Sequence, residues 1–254
     1  MISHNNQPLH PYIPTKTNNI TPQTFLEISE TAFNHNVNYY KNRIGHHNQL
    51  AVVIKANGYG HGLTQMAYLC EQNNAVNWLA VMVLSEALAL EHVTKPILVL
   101  GYSDINPEYA IGKNIHFMVD QLEYAENLNA IGKQHSYQFN VHVKVDTGLS
   151  RMGVLAHEAI HFIKQLQKLD YITITGIYSH FAASDTDPEF TAQQYDQFNN
   201  VIADLNTHNI YIPHIHMSNS AALSTLIYQP YFNLFRAGIG MYGLVMTKNF
   251  LNQL

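Results

Sequence analysis

Apolar, β-branched runs of five to nine residues recur along the chain, separated by polar stretches whose apolar residues fall at helical spacing. Eight such runs stand out: 50–54 (LAVVI), 78–83 (WLAVMV), 97–101 (ILVLG), 115–119 (IHFMV), 139–145 (FNVHVKV), 172–180 (ITITGIYSH), 213–218 (PHIHMS) and 233–238 (NLFRAG). Nearly continuous apolar strands alternating with amphipathic helices mark βα units around a parallel sheet that is covered on both faces. Eight units predict an α/β fold closed into a (β/α)8 TIM-type barrel, with functional side chains at the C-terminal ends of its strands.

Ahead of the first run, residues 31–44 place Phe33, Val37, Tyr40 and Ile44 at steps of four, three and four, which lines one face of a helix. Ser29 suits its N-cap. Lying before the first strand, this helix can fill the eighth place in the outer ring. Residues 25–28 (FLEI) read as an extra strand with no partner inside the barrel, and 1–22, rich in Asn and Pro, as a flexible leader. The expected division is therefore leader 1–22, barrel 23–244, and 245–254 as the start of a further C-terminal region.

A length of 254 residues suits one barrel of this kind. The hydrophobic fraction of 46% supports a large core, whereas the charged fraction of 12% is well below the roughly 25% usual for soluble domains. Uncharged polar residues must then carry much of the surface. A net charge of -5 leaves no basic footprint for nucleic acid or anionic membranes, which favours a small-molecule partner. With one cysteine, Cys70, the chain cannot close an internal disulfide, and no apolar stretch is long enough for a signal peptide core or a membrane span. A cytoplasmic location is the expectation.

Candidate chemistry concentrates where the runs end. In AVVIKANGYGHG, Lys55 closes an apolar strand and precedes a glycine-rich turn holding Gly58, Gly60, Gly62 and Tyr59. Partial desolvation disfavours the ammonium form and frees an amine for imine chemistry. The plain alternative, a lysine snorkelling into solvent, is the commoner fate of a lone strand-end lysine. After the fifth run, VKVDTGLSRMG carries Lys144 and Asp146 and then presents Arg151, whose planar guanidinium can grip a carboxylate. After the sixth come His180 and Asp185, and after the seventh Asn219 and Ser220, with Ser220 suited to cap a helix whose N-terminus could bind phosphate. The eighth run contributes Arg236, Gly238 and Ile239. Taken alone, His180 is more often structural and Arg151 more often a loop residue. His214 and His216 make a weak metal signal without further ligands, and NGYGHG lacks the spacing of a dinucleotide fingerprint.

Together, VVIKANGYGHG, KVDTGLSRMG, SHFAASD, HMSNSAA and FRAGIGMYG, in that order across residues 24–244, resemble the alanine racemase family. The resemblance implies a pyridoxal 5'-phosphate enzyme that interconverts L- and D-alanine for peptidoglycan. Lys55 would hold the cofactor as an imine and act as the base on the D-alanine side. Tyr59, Ser220 and the backbone of Gly238 and Ile239 would hold its phosphate, with Asn219 alongside. Arg236 would face the pyridine nitrogen with His180 in support. Arg151 would contact the cofactor's phenolic oxygen and the substrate carboxylate, and Lys144 matches a position carbamylated in some members.

The resemblance also implies a homodimer, and a C-terminal β domain whose tyrosine, from the partner subunit, serves as the second base. That domain lies beyond the present sequence, which ends in MTKNFLNQL. The expectation is a fragment or a naturally shortened product, with a non-racemising pyridoxal-phosphate barrel or an inactive truncated racemase as the alternative.

Overall fold

A computed structural model describes residues 26–225 and 231–244. All eight runs form strands: β1 (Gln49–Val53), β2 (Trp78–Val81), β3 (Ile97–Val99), β4 (Ile115–Val119), β5 (Phe139–Asp146), β7 (Ile172–Tyr178), β8 (His214–His216) and β9 (Leu234–Ala237), with a two-residue β6 (Val154–Leu155) attached to β5 alone. Every pairing is parallel, in the order β8-β7-β5-β4-β3-β2-β1-β9. Several strands stop two residues before their apolar runs do, and the remainder, such as Ser179 and His180 after β7, turns into the barrel mouth.

The ring closes through one residue. Between β8 and β9, Asn233 donates its backbone N–H to Ile215 O (3.1 Å) and its Nδ2 to Pro213 O (2.6 Å), and its Oδ1 accepts from Ile215 N (2.9 Å). Its own carbonyl accepts from Gln49 N at 2.8 Å, tying the seam to β1.

Strand alternation sorts the two buried faces. Leu50, Val52, Leu79, Val81, Phe117, Val141, Val143 and Val145 point outward into the main core beneath the helices. Ala51, Val53, Trp78, Ala80, Leu98 and Leu234 form a second cluster, inside the barrel. The same inward positions on β4, β5, β8 and β9 hold His116, His142, Lys144, His216 and Arg236, all buried, so one half of the barrel interior is polar.

The outer helices are α1 (Glu30–Ile44), α3 (Leu63–Gln72), α4 (Leu84–Leu88), α5 (Leu122–His135), α6 (Ala159–Leu166), α7 (Pro188–Thr207) and α8 (Ser220–Thr225); a single turn, α2 (Lys55–Tyr59), follows β1. Ser29 caps α1 as expected, its Oγ accepting from Ala32 N at 3.1 Å, and Phe33, Val37, Tyr40 and Ile44 are all buried. Burying each such side chain contributes about 1.5–3 kcal/mol relative to exposure. Arg43 fastens α1 to the end of α8 by donating to Leu223 O and Ser224 O, both at 2.6 Å, and Asn36 donates to Met241 O at 3.0 Å. The helix thus takes the eighth place in the ring.

The extra strand expected at 25–28 is not formed: Leu26–Ile28 pair with no strand and Leu26 is exposed. Short apolar runs adopt strand geometry only where a neighbour supplies a ladder, and the described sheet offers these residues none. Phe25, the leader 1–22 and residues 245–254 lie outside the described residues.

Candidate active site

The C-terminal ends of the strands enclose a cleft of about 180 Å³. Lys55, Tyr59, Lys144, Arg151, His180, Asn219, Ser220, Arg236, Gly238 and Ile239 all line it, so the site residues that the resemblance implies converge there. Asp146 and Asp185 do not. Asp146 instead accepts from Gly148 N (2.9 Å) and Ser150 N (3.1 Å), folding the loop that carries Arg151. The remaining lining residues, Val53, Met82, Leu100, Met152, Tyr178 and Ser218, carried no distinctive sequence signal. Among the described residues, four basic side chains and no carboxylate line this space, which suits it to an anion.

Lys55 is placed by backbone rather than by side-chain contacts. After β1 the chain makes a left-handed turn: Ala56, Asn57, Gly58, Tyr59 and Gly60 all have positive φ, between 52° and 91°. For Ala56 and Tyr59 this costs roughly 1–2 kcal/mol each, less for Asn57. The turn is closed by Gly58 N–H to Ile54 O (2.8 Å) and Gly62 N–H to Asn57 O (2.9 Å). Glu86, on α4, accepts from Ala56 N (2.6 Å), Asn57 N (3.4 Å) and Met82 N (2.8 Å). Burial, and then the nearby Arg151 cation, lower the Lys55 pKa, with Glu86 opposing them.

Beyond the turn, Tyr59 packs against Tyr242, whose hydroxyl donates to Val53 O at 3.0 Å. A Cβ built on Gly238 would lie 2.9 Å from the Tyr59 hydroxyl, so only glycine leaves that hydroxyl its place. Ser220 departs from its expected capping role. Asn219 caps α8, its Oδ1 accepting from Ala222 N at 2.9 Å, because Ser220 is already inside the helix. The Ser220 Oγ accepts from Gly238 N (2.8 Å) and Gly240 N (3.2 Å), joining the loops after β8 and β9.

Arg236 is held by side chains and carbonyls. Its NH1 donates to His216 Nδ1, and its NH2 donates to Ser179 O (2.9 Å), Met217 O (3.2 Å) and His180 Nδ1 (3.1 Å). A guanidinium only donates, so both Nδ1 atoms are acceptors and both imidazoles carry their proton on Nε2. His216 Nε2 then donates to His142 Nδ1 at 2.9 Å. Burial, followed by the Arg236 charge, holds His180 and His216 well below the usual histidine range, so both are neutral. Arg236 itself is pulled down to about 10 by burial and stays charged at neutral pH.

Tyr178 lies flat against His216, with ring centroids 4.7 Å apart, and its face receives both Arg236 (5.1 Å) and Lys144 (4.9 Å). Lys144 is buried and its Nζ has no hydrogen-bond partner among the described residues. Burial, then Arg236 and Arg151, bring its pKa down to about 7. His214 and His216 join no larger metal-ligating group among the described residues.

The fold and cleft define a TIM-type barrel that presents a desolvated lysine and a buried arginine to an anionic ligand. The family pattern described as alanine racemase, N-terminal domain, matches residues 28–245, and the chain belongs to the alanine racemase family. Alanine racemase 2 of Oceanobacillus iheyensis is 37% identical over 227 residues, covering 87% of this chain and 57% of that protein. The alanine racemase of Methanococcus maripaludis is 36% identical over 231 residues, covering 88% and 61%. Among solved structures, a Clostridium difficile alanine racemase in complex with cycloserine superposes with a TM-score of 0.81 at 34% identity, covering 86% of this chain and 61% of that one. The chain thus spans about three-fifths of the length of these relatives. No described helix is long and apolar enough to cross a membrane.

Proposed function

We propose that the chain is the cofactor-binding barrel of a pyridoxal-phosphate-dependent alanine racemase, acting on L- and D-alanine. The observation that carries this reading is the pairing of Lys55, on a left-handed turn, with Arg236, locked by two neutral imidazoles, in a cleft lined by cations. The residues fit the cofactor. Gly238, lacking a Cβ, lets the Tyr59 hydroxyl lie close against its backbone, and the Ser220 Oγ ties Gly238 N to the start of α8, so Tyr59, Ser220, Gly238 and Ile239, with Asn219 behind them, make the phosphate end.

When bound, pyridoxal phosphate withdraws electrons from the amino acid's Cα and makes its proton removable. Lys55 would hold the cofactor through its amine, and its lowered pKa would suit that amine, when free, to take a proton from the amino acid's Cα, or return one, on the D-alanine side. Arg236 serves the ring nitrogen as a permanent donor that gives up no proton, and His216 and His180 fix its orientation. Arg151 serves the substrate carboxylate and the cofactor's phenolic oxygen. Lys144, neutral in part near pH 7, is the group to take up carbon dioxide as a carbamate whose negative charge would orient Arg151. The base for the opposite face comes from a tyrosine of the family's C-terminal domain in a homodimer.

The test is a spectrum. Pyridoxal phosphate added to the chain is expected to give a visible absorption band bound at Lys55, and Lys55→Ala is expected to abolish it. An unchanged band in that variant overturns the reading.

A further inference from the structure

Glu86 has no place in the cofactor chemistry outlined above, yet it touches the segment on which that chemistry depends. It lies on α4, beyond the end of β2, and reaches sideways to the turn after β1. One carboxylate oxygen accepts from the N–H groups of Ala56 and Asn57, the first two residues of the left-handed run, at 2.6 and 3.4 Å. The other accepts from Met82 N at 2.8 Å. Met82 lines the cleft, so the carboxylate bridges two of its walls.

We propose that Glu86 is the positioning residue for Lys55, its carboxylate holding the Ala56–Asn57 backbone in the left-handed conformation that aims Lys55 and Tyr59 into the cleft. Ala56 has φ 53° and ψ 52°, a conformation an L-residue adopts only when its surroundings impose it. Neither Ala56 nor Asn57 is a glycine, so the sequence of the turn does not itself select this shape. An ionised carboxylate is the suitable clamp because it accepts at both oxygens, whereas an amide would set its NH2 against one of the backbone N–H donors. The charge of the same carboxylate favours the ammonium form of Lys55, against burial and the Arg151 cation from the loop after β5.

The proposal rests on the reading of Lys55 as the cofactor-holding lysine, so the experiment keeps one readout free of cofactor. In the cofactor-free chain, acylation of Lys55 by a small anhydride is followed against pH by peptide mass spectrometry. In Glu86→Gln the midpoint is expected to fall, because the charge favouring the ammonium form is gone. In the same variant pyridoxal-phosphate affinity, read from the visible band, is expected to weaken by about tenfold, the loss of one charge-assisted contact. Adding Ala56→Gly, which removes the penalty on positive φ, is expected to restore most of that affinity and leave the acylation midpoint low.

Wild-type affinity and midpoint in Glu86→Gln overturn the proposal, as does a loss of affinity that Ala56→Gly does not recover. Should Glu86→Gln fail to fold, the double variant decides: it must fold and load cofactor, and if it does neither the proposal is lost. A wild-type chain that gives no visible band sinks the reading of Lys55, while the acylation profiles still judge Glu86.

Discussion

Lys55 follows β1 and Arg236 lies in the neighbouring β9, whose residue 236 pairs with Ala51, yet the chain positions these two cations by different means. Lys55 is aimed by a run of positive φ angles and one bridging carboxylate. Arg236 sits in regular strand geometry, and its head is fixed by four acceptors drawn from β8 and the segments just after β7 and β8. The difference matches the role proposed for each group. A lysine that bonds covalently and then moves a proton needs a side chain free to swing, so its constraint is placed in the backbone. An arginine that must donate without moving is gripped at the guanidinium.

Changing the second region is expected to move the stability of the fold more than changing the first. The largest effect belongs to Lys144, which shares the Tyr178 ring with Arg236. Burial depresses its pKa to about 7 in the folded chain, so the unfolded chain binds more protons between pH 7 and about 10.4, and stability rises with pH through that window. Lys144→Met removes this penalty. Denaturant unfolding in carbon-dioxide-free buffer should show a gain on the order of 4 kcal/mol below pH 7, shrinking to nothing near pH 10.4.

Arg236→Met leaves buried acceptors on Ser179, Met217 and two histidines without their donor, and is expected to lower unfolding free energy by about 3 kcal/mol. Lys55→Ala is expected to stay within about 1 kcal/mol of wild type. Equal losses for the two would erase the contrast. Gly238→Ala sharpens it from the phosphate side, because the new methyl displaces the Tyr59 hydroxyl at a cost of about 1 kcal/mol or less to the fold. It should weaken inorganic phosphate or cofactor binding about tenfold by titration, the equivalent of one hydrogen bond.

The barrel was legible because parallel strands buried on both faces write continuous apolar runs, and the cleft was legible because chemistry-bearing residues stand where those runs end. Strand ends proved shorter than the runs because residues such as His180 and Ser218 line the mouth instead of extending the strands. The left-handed turn was not legible, since its first two residues, Ala56 and Asn57, are not the glycines that announce positive φ. Glu86 was missed for a related reason: its partners are backbone N–H groups about 30 residues away, and such groups leave no pattern in side-chain identity. Tyr178 looked like an ordinary member of an apolar strand, and His216 only like half of a weak metal signal. Their inward direction follows from alternation, but the stack they make with each other depends on β7 and β8 lying side by side.

Asn233 has a consequence beyond closure. A parallel sheet that stopped at β8 and β9 would present two rows of unpaired backbone groups, the surfaces on which strands of separate molecules add and aggregates grow. One amide side chain, reaching both a donor and an acceptor of β8 and of the residue just before it, covers this weak point of the ring. The shielding of these strand edges thus leans on a residue outside the cleft.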